Sequence, residues 1–178
     1  MTRLAVMITD VSAFLDRLSA AALPTLARLI FAGVLLTYFW SSGLTKLGPG
    51  PFTPSSGAYV QIFPRLMEAA GYDTGQLALW HRLVVLAGTW AEFALPLLIV
   101  LGLATRFAAL GMIAFILVQT LTDRMGHGVP WGTWFDRAPD AALADQRSLW
   151  VFVLLVLVLK GAGPVSIDRG IRAFFRQS

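Results

Sequence analysis

From Leu83 to Ala104 the chain runs almost entirely apolar, and its only charged residue in that stretch is Glu92. A segment this long and this poor in charge has few fates other than crossing a lipid bilayer, whose ~30 Å hydrocarbon core takes about 20 helical residues. Three further runs resemble it. Leu26–Lys46 is apolar between Arg28 and Lys46, Phe107–Thr122 carries no charge, and Ser148–Pro164 carries only Lys160. The three residues Ala104-Thr105-Arg106 between the second and third runs make those spans antiparallel neighbours. The third and fourth runs are short for a full crossing and call for tilt or local thinning.

Composition agrees. Of 178 residues, 57% are hydrophobic and 13% charged, where a soluble chain carries about a quarter charged. The expected fold class is therefore all-α: an integral membrane four-helix bundle with spans at about 26–46, 83–104, 107–122 and 148–164. The absence of cysteine excludes disulfides, thiolate catalysis and Cys-ligated metal. The net charge of +4 is spread thinly, which suits membrane flanks and not a nucleic-acid face.

Outside the spans, Leu4, Met7, Ile8, Val11, Phe14, Leu15 and Leu18 form a one-sided stripe, with Asp10, Asp16 and Arg17 turned away. Residues 1–22 accordingly read as an amphipathic helix lying in the interface. The competing reading, a signal peptide cleaved after Ser19–Ala22, is disfavoured by Asp10, which breaks the apolar run. Pro24 is placed to open the first span. Residues 47–81, rich in Gly and Pro at their start, form an extramembrane cap with a short helix over 58–70 interrupted by Pro64. Residues 123–147 are polar and broken by Gly and Pro, and residues 172–178 form a basic tail.

Four spans put both termini on one side. That side holds Arg3, Arg17, Arg28, Arg106, Lys160, Arg169, Arg172 and Arg176, and the other holds Lys46, Arg65, Arg82, Arg124, Arg137 and Arg147. The excess of cations orients the termini toward the cytoplasm.

Glu92 is the main candidate for chemistry, because a carboxylate within the bilayer is costly and marks a functional site by default. The stripe Gly33, Thr37, Ser41 and Thr45 on the first span offers it hydroxyl partners, and the third span offers Gln119. Counting inward from the helix ends sets Thr37 level with Glu92 and leaves Arg28 and Lys46 roughly 12–15 Å away along straight helices. The carboxyl is then expected to be protonated and held by Thr37 and Ser41. Packing glue and proton handling both remain open roles. Trp40, Trp80, Trp131 and Trp134 gather toward the opposite side, as an interfacial belt or as an aromatic mouth for a flat ligand such as a quinone ring. His81 and His127 are the only histidines; two imidazoles without further spacing favour a solvated pair over a metal site.

Several of these pieces, taken in order, resemble the DoxX family of small bacterial membrane proteins. They are Leu26-Ala27-Arg28, Ser42-Gly43-Leu44-Thr45-Lys46-Leu47, Glu92, Leu101 to Leu110 and Gly161 to Arg169. The resemblance covers 23–171 as one four-span domain. It implies a bundle in the cytoplasmic membrane and a redox theme, since some members are subunits of quinone-reducing sulfur oxidation systems. It carries no catalytic motif. No cofactor motif is evident in the residues either, and a quinone is the cofactor the resemblance points to. The chain is thus expected to be a redox-linked membrane subunit, serving a quinone-linked oxidoreductase if it takes part in catalysis, with a redox partner protein. A non-catalytic anchor or assembly factor is the alternative, and a permeation path is the least supported. A bundle this small is suited to homodimer formation, although no residue identifies the face.

Overall fold

The computed structural model describes residues 3–176; the first two residues of the expected interfacial helix and the last two of the basic tail lie outside the described residues. Helix α1 (Arg3–Phe31), a π-helical turn (Ala32–Leu36) and α2 (Thr37–Lys46) form one continuous 44-residue rod. Two short helices follow, α3 (Ser56–Ile62) and α4 (Pro64–Ala69), then α5 (Leu79–Leu101) and α6 (Thr105–Met125). A second π-helical turn (Ala142–Gln146) leads into α7 (Arg147–Lys160), and α8 (Ile167–Phe175) ends the chain. Among the described residues there is no strand, and four helices are long and apolar enough to cross a membrane. The chain is a multi-pass membrane protein.

The spans close a ring: α2 lies on α5, α5 on α6, α6 on α7, and α7 returns to α1. Phe31, Leu35, Phe39, Ile99, Met112, Ile116, Leu154 and Leu157 fill the centre. On the first rod the buried positions are Pro24, Ala27, Phe31, Leu35, Phe39, Gly43 and Lys46. Strict four-residue steps drift around an ordinary α-helix of 3.6 residues per turn, and the wider π turn at Ala32–Leu36 takes up that drift, keeping the stripe in line.

Helix limits depart from the sequence reading in three places. Pro24 does not open a helix; it sits buried inside one. Its ring rests on the turn at Gly163, where a Cβ would come within 3.0 Å of Pro24 Cγ, and Thr25 Oγ1 donates to the Ala21 carbonyl at 3.0 Å. The expected break between 1–22 and the first span is therefore absent, and residues 3–18 contain no buried position. At about 1.5 Å per residue the rod spans ~66 Å, over twice a hydrocarbon core. Second, α5 stops at Leu101 because Gly102 adopts φ 69°, the left-handed conformation that ends helices. Third, the last span starts early, through the turn at Ala142, and stops at Lys160 where Gly161 turns to φ 82°. The first part of the basic tail, residues 172–175, belongs to the helix α8.

The 47–78 segment is a cap with a core of its own. Ala58, Tyr59 and Met67 pack with Val85 of α5, backed by Ile62, Phe63 and Leu77. Arg82 Nη2 donates to the Phe52 carbonyl at 3.3 Å and Trp90 Nε1 to the Pro51 carbonyl at 3.1 Å. The first turns of α5 thus rise beyond the end of α2 and are wrapped by this cap. That stagger sets the geometry of the site.

Candidate functional site

Glu92 lies near the middle of α5, and the residue that reaches it is Lys46, the last residue of α2. Lys46 Nζ stands 2.9 Å from both carboxylate oxygens, and both residues are buried, at 6% and 2% exposure. One helical turn before Lys46, Ser42 completes the cluster. Its hydroxyl donates to Glu92 Oε1 at 3.1 Å and lies 2.6 Å from Lys46 Nζ. Close approach of the two helices is made by Gly43, where a Cβ would fall 2.7 Å from the Phe93 ring, and Trp40 Nε1 donates to the Phe93 carbonyl at 3.2 Å.

This corrects the expectation of hydroxyl partners at Thr37 and Ser41. Both of those residues lie on the exposed face of the first rod, as do Gly33 and Thr45. The distance count failed because it matched helix ends, whereas α5 begins well beyond the end of α2 and brings Glu92 level with Ser42 and Gly43. The signal that could have found the pair was electrostatic. Lys46 is the sole cation after Arg28 on the first span and Glu92 the sole charge of the second, and lone opposite charges on adjoining spans relieve each other's desolvation.

The cluster forms one wall of a cleft of about 490 Å³ between α5 and α6. Along α5 it is lined by Val84, Ala87, Gly88, Ala91, Glu92 and Leu95, and along α6 by Gly111, Ala114, Phe115, Val118, Gln119, Thr122 and Asp123. Ser42 and Lys46 close the back, while Gln61, Ile62 and His127 stand at the cap end. Most of the lining is apolar, and the two glycines keep the walls clear of side chains. Val84, Ala87, Ala114 and Val118 are exposed, so the cleft opens sideways between two membrane-spanning helices.

Gln119 lines the same cleft without touching Glu92. Its Nε2 donates to Tyr38 Oη at 3.2 Å, while its Oε1 is buried with no hydrogen-bond partner among the described residues. The four tryptophans do not converge. Trp40 packs on Phe93, Trp80 on Phe63 and His81, Trp134 donates to the Ala144 carbonyl, and Trp131 is exposed. None of them lines the cleft. The histidines also have separate surroundings. His127 Nε2 lies 2.9 Å from the Gln61 carbonyl, joining the end of α6 to α3, whereas His81 stacks on Trp80 with ring centres 3.7 Å apart. Among the described residues no group of three or more His, Asp or Glu side chains is arranged to hold a metal ion.

A second ion pair, not foreseen from the sequence, joins α6 to α7: Arg147 Nη2 to Asp123 Oδ2. Arg147 is buried, and its Nε and Nη1 find no partner among the described residues. At the other end of the bundle Arg28 acts as a rivet. Its guanidinium donates to the carbonyls of Ile99 and Ala162, both at 3.0 Å, and to those of Val100 and Val165. Ile99 and Val100 lie in the last turn of α5, and Ala162 and Val165 on the approach to α8, so the arginine adds to the cap of one helix and ties down another segment. Asp168 does the reverse at the start of α6. It accepts from Ala104 N at 2.7 Å, Thr105 N at 3.0 Å and Thr105 Oγ1 at 2.8 Å. Burial alone would push its pKa up; these hydrogen bonds and the charge of Arg172 outweigh burial and hold the carboxyl below its ordinary range.

The DoxX family model matches residues 23–123. That stretch contains every cleft-lining residue except His127. No curated protein and no solved structure matches the chain.

Proposed function

Because the chain belongs to the DoxX family, we propose that it is a redox-linked subunit of the bacterial cytoplasmic membrane whose cleft between α5 and α6 binds a quinone. The observation that carries this reading is the buried, partnerless Gln119 Oε1 across an apolar cleft from the Lys46–Glu92–Ser42 cluster. A buried acceptor without a donor is costly in an isolated protein, and a ligand hydroxyl relieves it. The volume of about 490 Å³ falls within the roughly 300–1,000 Å³ of small-molecule sites. A side opening toward lipid chains suits a ligand that arrives from the bilayer with an apolar tail.

The residues fit such a head group. Quinone chemistry supplies two-electron, two-proton carriage. Gln119 Oε1 would accept from a ring hydroxyl, and Glu92, held by Lys46 and Ser42, would hold or yield a proton beside it. The apolar walls exclude water and orient the ring plane. In this reading a redox partner protein exchanges electrons with the bound quinone. Both termini face the cytoplasm in this reading, by the excess of cations on their side.

The test is extraction of the lipids retained by the purified protein in mild detergent. Quinone is expected near one per chain and enriched well above its share of the extracted bulk lipid. A quinone content equal to that of bulk lipid overturns the proposal and leaves the non-catalytic anchor reading in place.

A further inference from the structure

Helix α8 buries none of its residues, yet it is held in a fixed place. Ser166 caps it by accepting from Arg169 N, and Asp168 N donates to the Gly102 carbonyl at 2.9 Å. The Asp168 carboxylate accepts from Ala104 and Thr105, while Arg28 holds the carbonyls of Ala162 and Val165 just upstream. The first turn of α8 is therefore fastened to the turn joining α5 and α6. Since both of those helices span the bilayer, their connecting turn lies at its surface, and α8 starts there too.

Sequence gives the helix two unlike sides. At about 100° per residue, Ile167, Ile171, Phe174 and Phe175 fall within one arc of roughly 100°, and Arg169, Arg172 and Arg176 lie within about 60° on the far side. On this arc Ile171 is 43% and Phe175 73% exposed. A nine-residue helix cannot hold itself in water by propensity alone. Charge then identifies what covers it. After Arg147 the chain has Lys160, Arg169, Arg172 and Arg176 against a single acid, Asp168, whose carboxylate is engaged at the start of α6. Arg106 adds to this belt, its guanidinium lying against the Leu159 carbonyl beside Lys160.

We propose that α8 is an interfacial helix that docks on the anionic headgroups of the bilayer surface, with its isoleucines and phenylalanines sunk at the acyl boundary and its arginines at the phosphates. The partner is phospholipid of net negative charge, such as phosphatidylglycerol. Helices of this kind bind through buried apolar area plus attraction to anionic lipid, each arginine strengthening the attachment about fivefold. The proposal does not depend on the quinone reading.

The chain has no cysteine, so Phe175→Cys provides one site for an environment-sensitive fluorophore. The full-length labelled protein is placed in nanodiscs of phosphatidylcholine alone or with one third phosphatidylglycerol. The neutral quencher acrylamide reports water access, and doxyl-labelled acyl chains report contact with lipid. With phosphatidylglycerol the label is expected to be shielded from acrylamide and quenched by doxyl chains. Both effects weaken several-fold in phosphatidylcholine and in the Arg169→Gln/Arg172→Gln/Arg176→Gln variant. A label equally open to acrylamide in both nanodiscs overturns the docking itself. Equal shielding in both lipids, unchanged in the triple variant, overturns the role of anionic headgroups.

Discussion

Lys46 Nζ sits equidistant from the two oxygens of Glu92, 2.9 Å from each, with half-buried Ser42 as the third member of the cluster. Removing one member leaves an uncompensated charge in a low-dielectric interior, which costs more than the net worth of the pair. Glu92→Gln or Lys46→Met alone should therefore destabilise the folded protein by about 3–5 kcal/mol, while Glu92→Leu with Lys46→Leu together should cost less than either. Thermal midpoints in detergent give the ordering directly. Single variants that melt with the wild type would show the pair to be energetically idle.

Filling the cleft tests the ligand site without touching the charges. Ala114 lies at the exposed mouth, so a large side chain there meets the opening and not the core. Ala114→Trp should lower retained quinone at least tenfold and leave the melting midpoint unchanged. Wild-type retention in that variant would remove the cleft from consideration.

Glycine substitutions read out which backbone positions are open and which are packed. A Cβ at Gly33 meets nothing within 4 Å, whereas at Gly43 it falls against the Phe93 ring. Gly102 at φ 69° would set a Cβ 2.6 Å from that of Ser166 and 2.8 Å from Arg28 Cζ. Gly33→Ala should be neutral or stabilise by up to about 1 kcal/mol, in line with the cost of glycine in helices. Gly102→Ala should destabilise by at least about 2 kcal/mol through strain and overpacking. Equal melting of the two variants would contradict these placements.

The fastening of α8 through Asp168 has a pH signature. Its folded-state pKa is depressed, so the stability it confers is fully present above its ordinary value, about 3.8, and is lost as pH falls through the lower folded value. A spin label at Gly170→Cys should be immobile at neutral pH and become mobile only in strong acid. In Asp168→Asn it should be mobile throughout. Immobility of that variant at every pH would show that the clamp does not depend on the carboxylate.

The four spans, the cap helices on either side of Pro64 and the prominence of Glu92 were legible in the sequence, because long apolar runs and a lone acid within one have few physical readings. The partner of Glu92 was not. Two stripes interleave on the first span at the same four-residue spacing, Gly33-Thr37-Ser41 and Phe31-Leu35-Phe39-Gly43, and in lipid either could face inward. The structure buries the second, with a π turn inside it that apolar patterning does not encode. Stagger between spans is equally invisible, since it depends on the cap that wraps the first turns of α5. The tryptophans share an end of the bundle without sharing a site, which a one-dimensional map of depth does not distinguish. Asp123 and Arg147 belong to segments that read as loop, yet they form a buried pair.

The division of one ion pair between the first two spans bears on how the chain enters a membrane. When the first helix leaves the ribosome, Lys46 has no counter-charge, and when α5 follows, Glu92 is the only charge between Leu83 and Leu101. Each segment alone carries a penalty of a few kcal/mol for partition into lipid, which disappears once the two are side by side. The first helix is therefore expected to wait at the insertion channel until α5 emerges, and to be released to lipid together with it. Biogenesis of this protein is thus expected to proceed by paired release of its first two spans, with the 47–78 cap folding over the joint only afterwards.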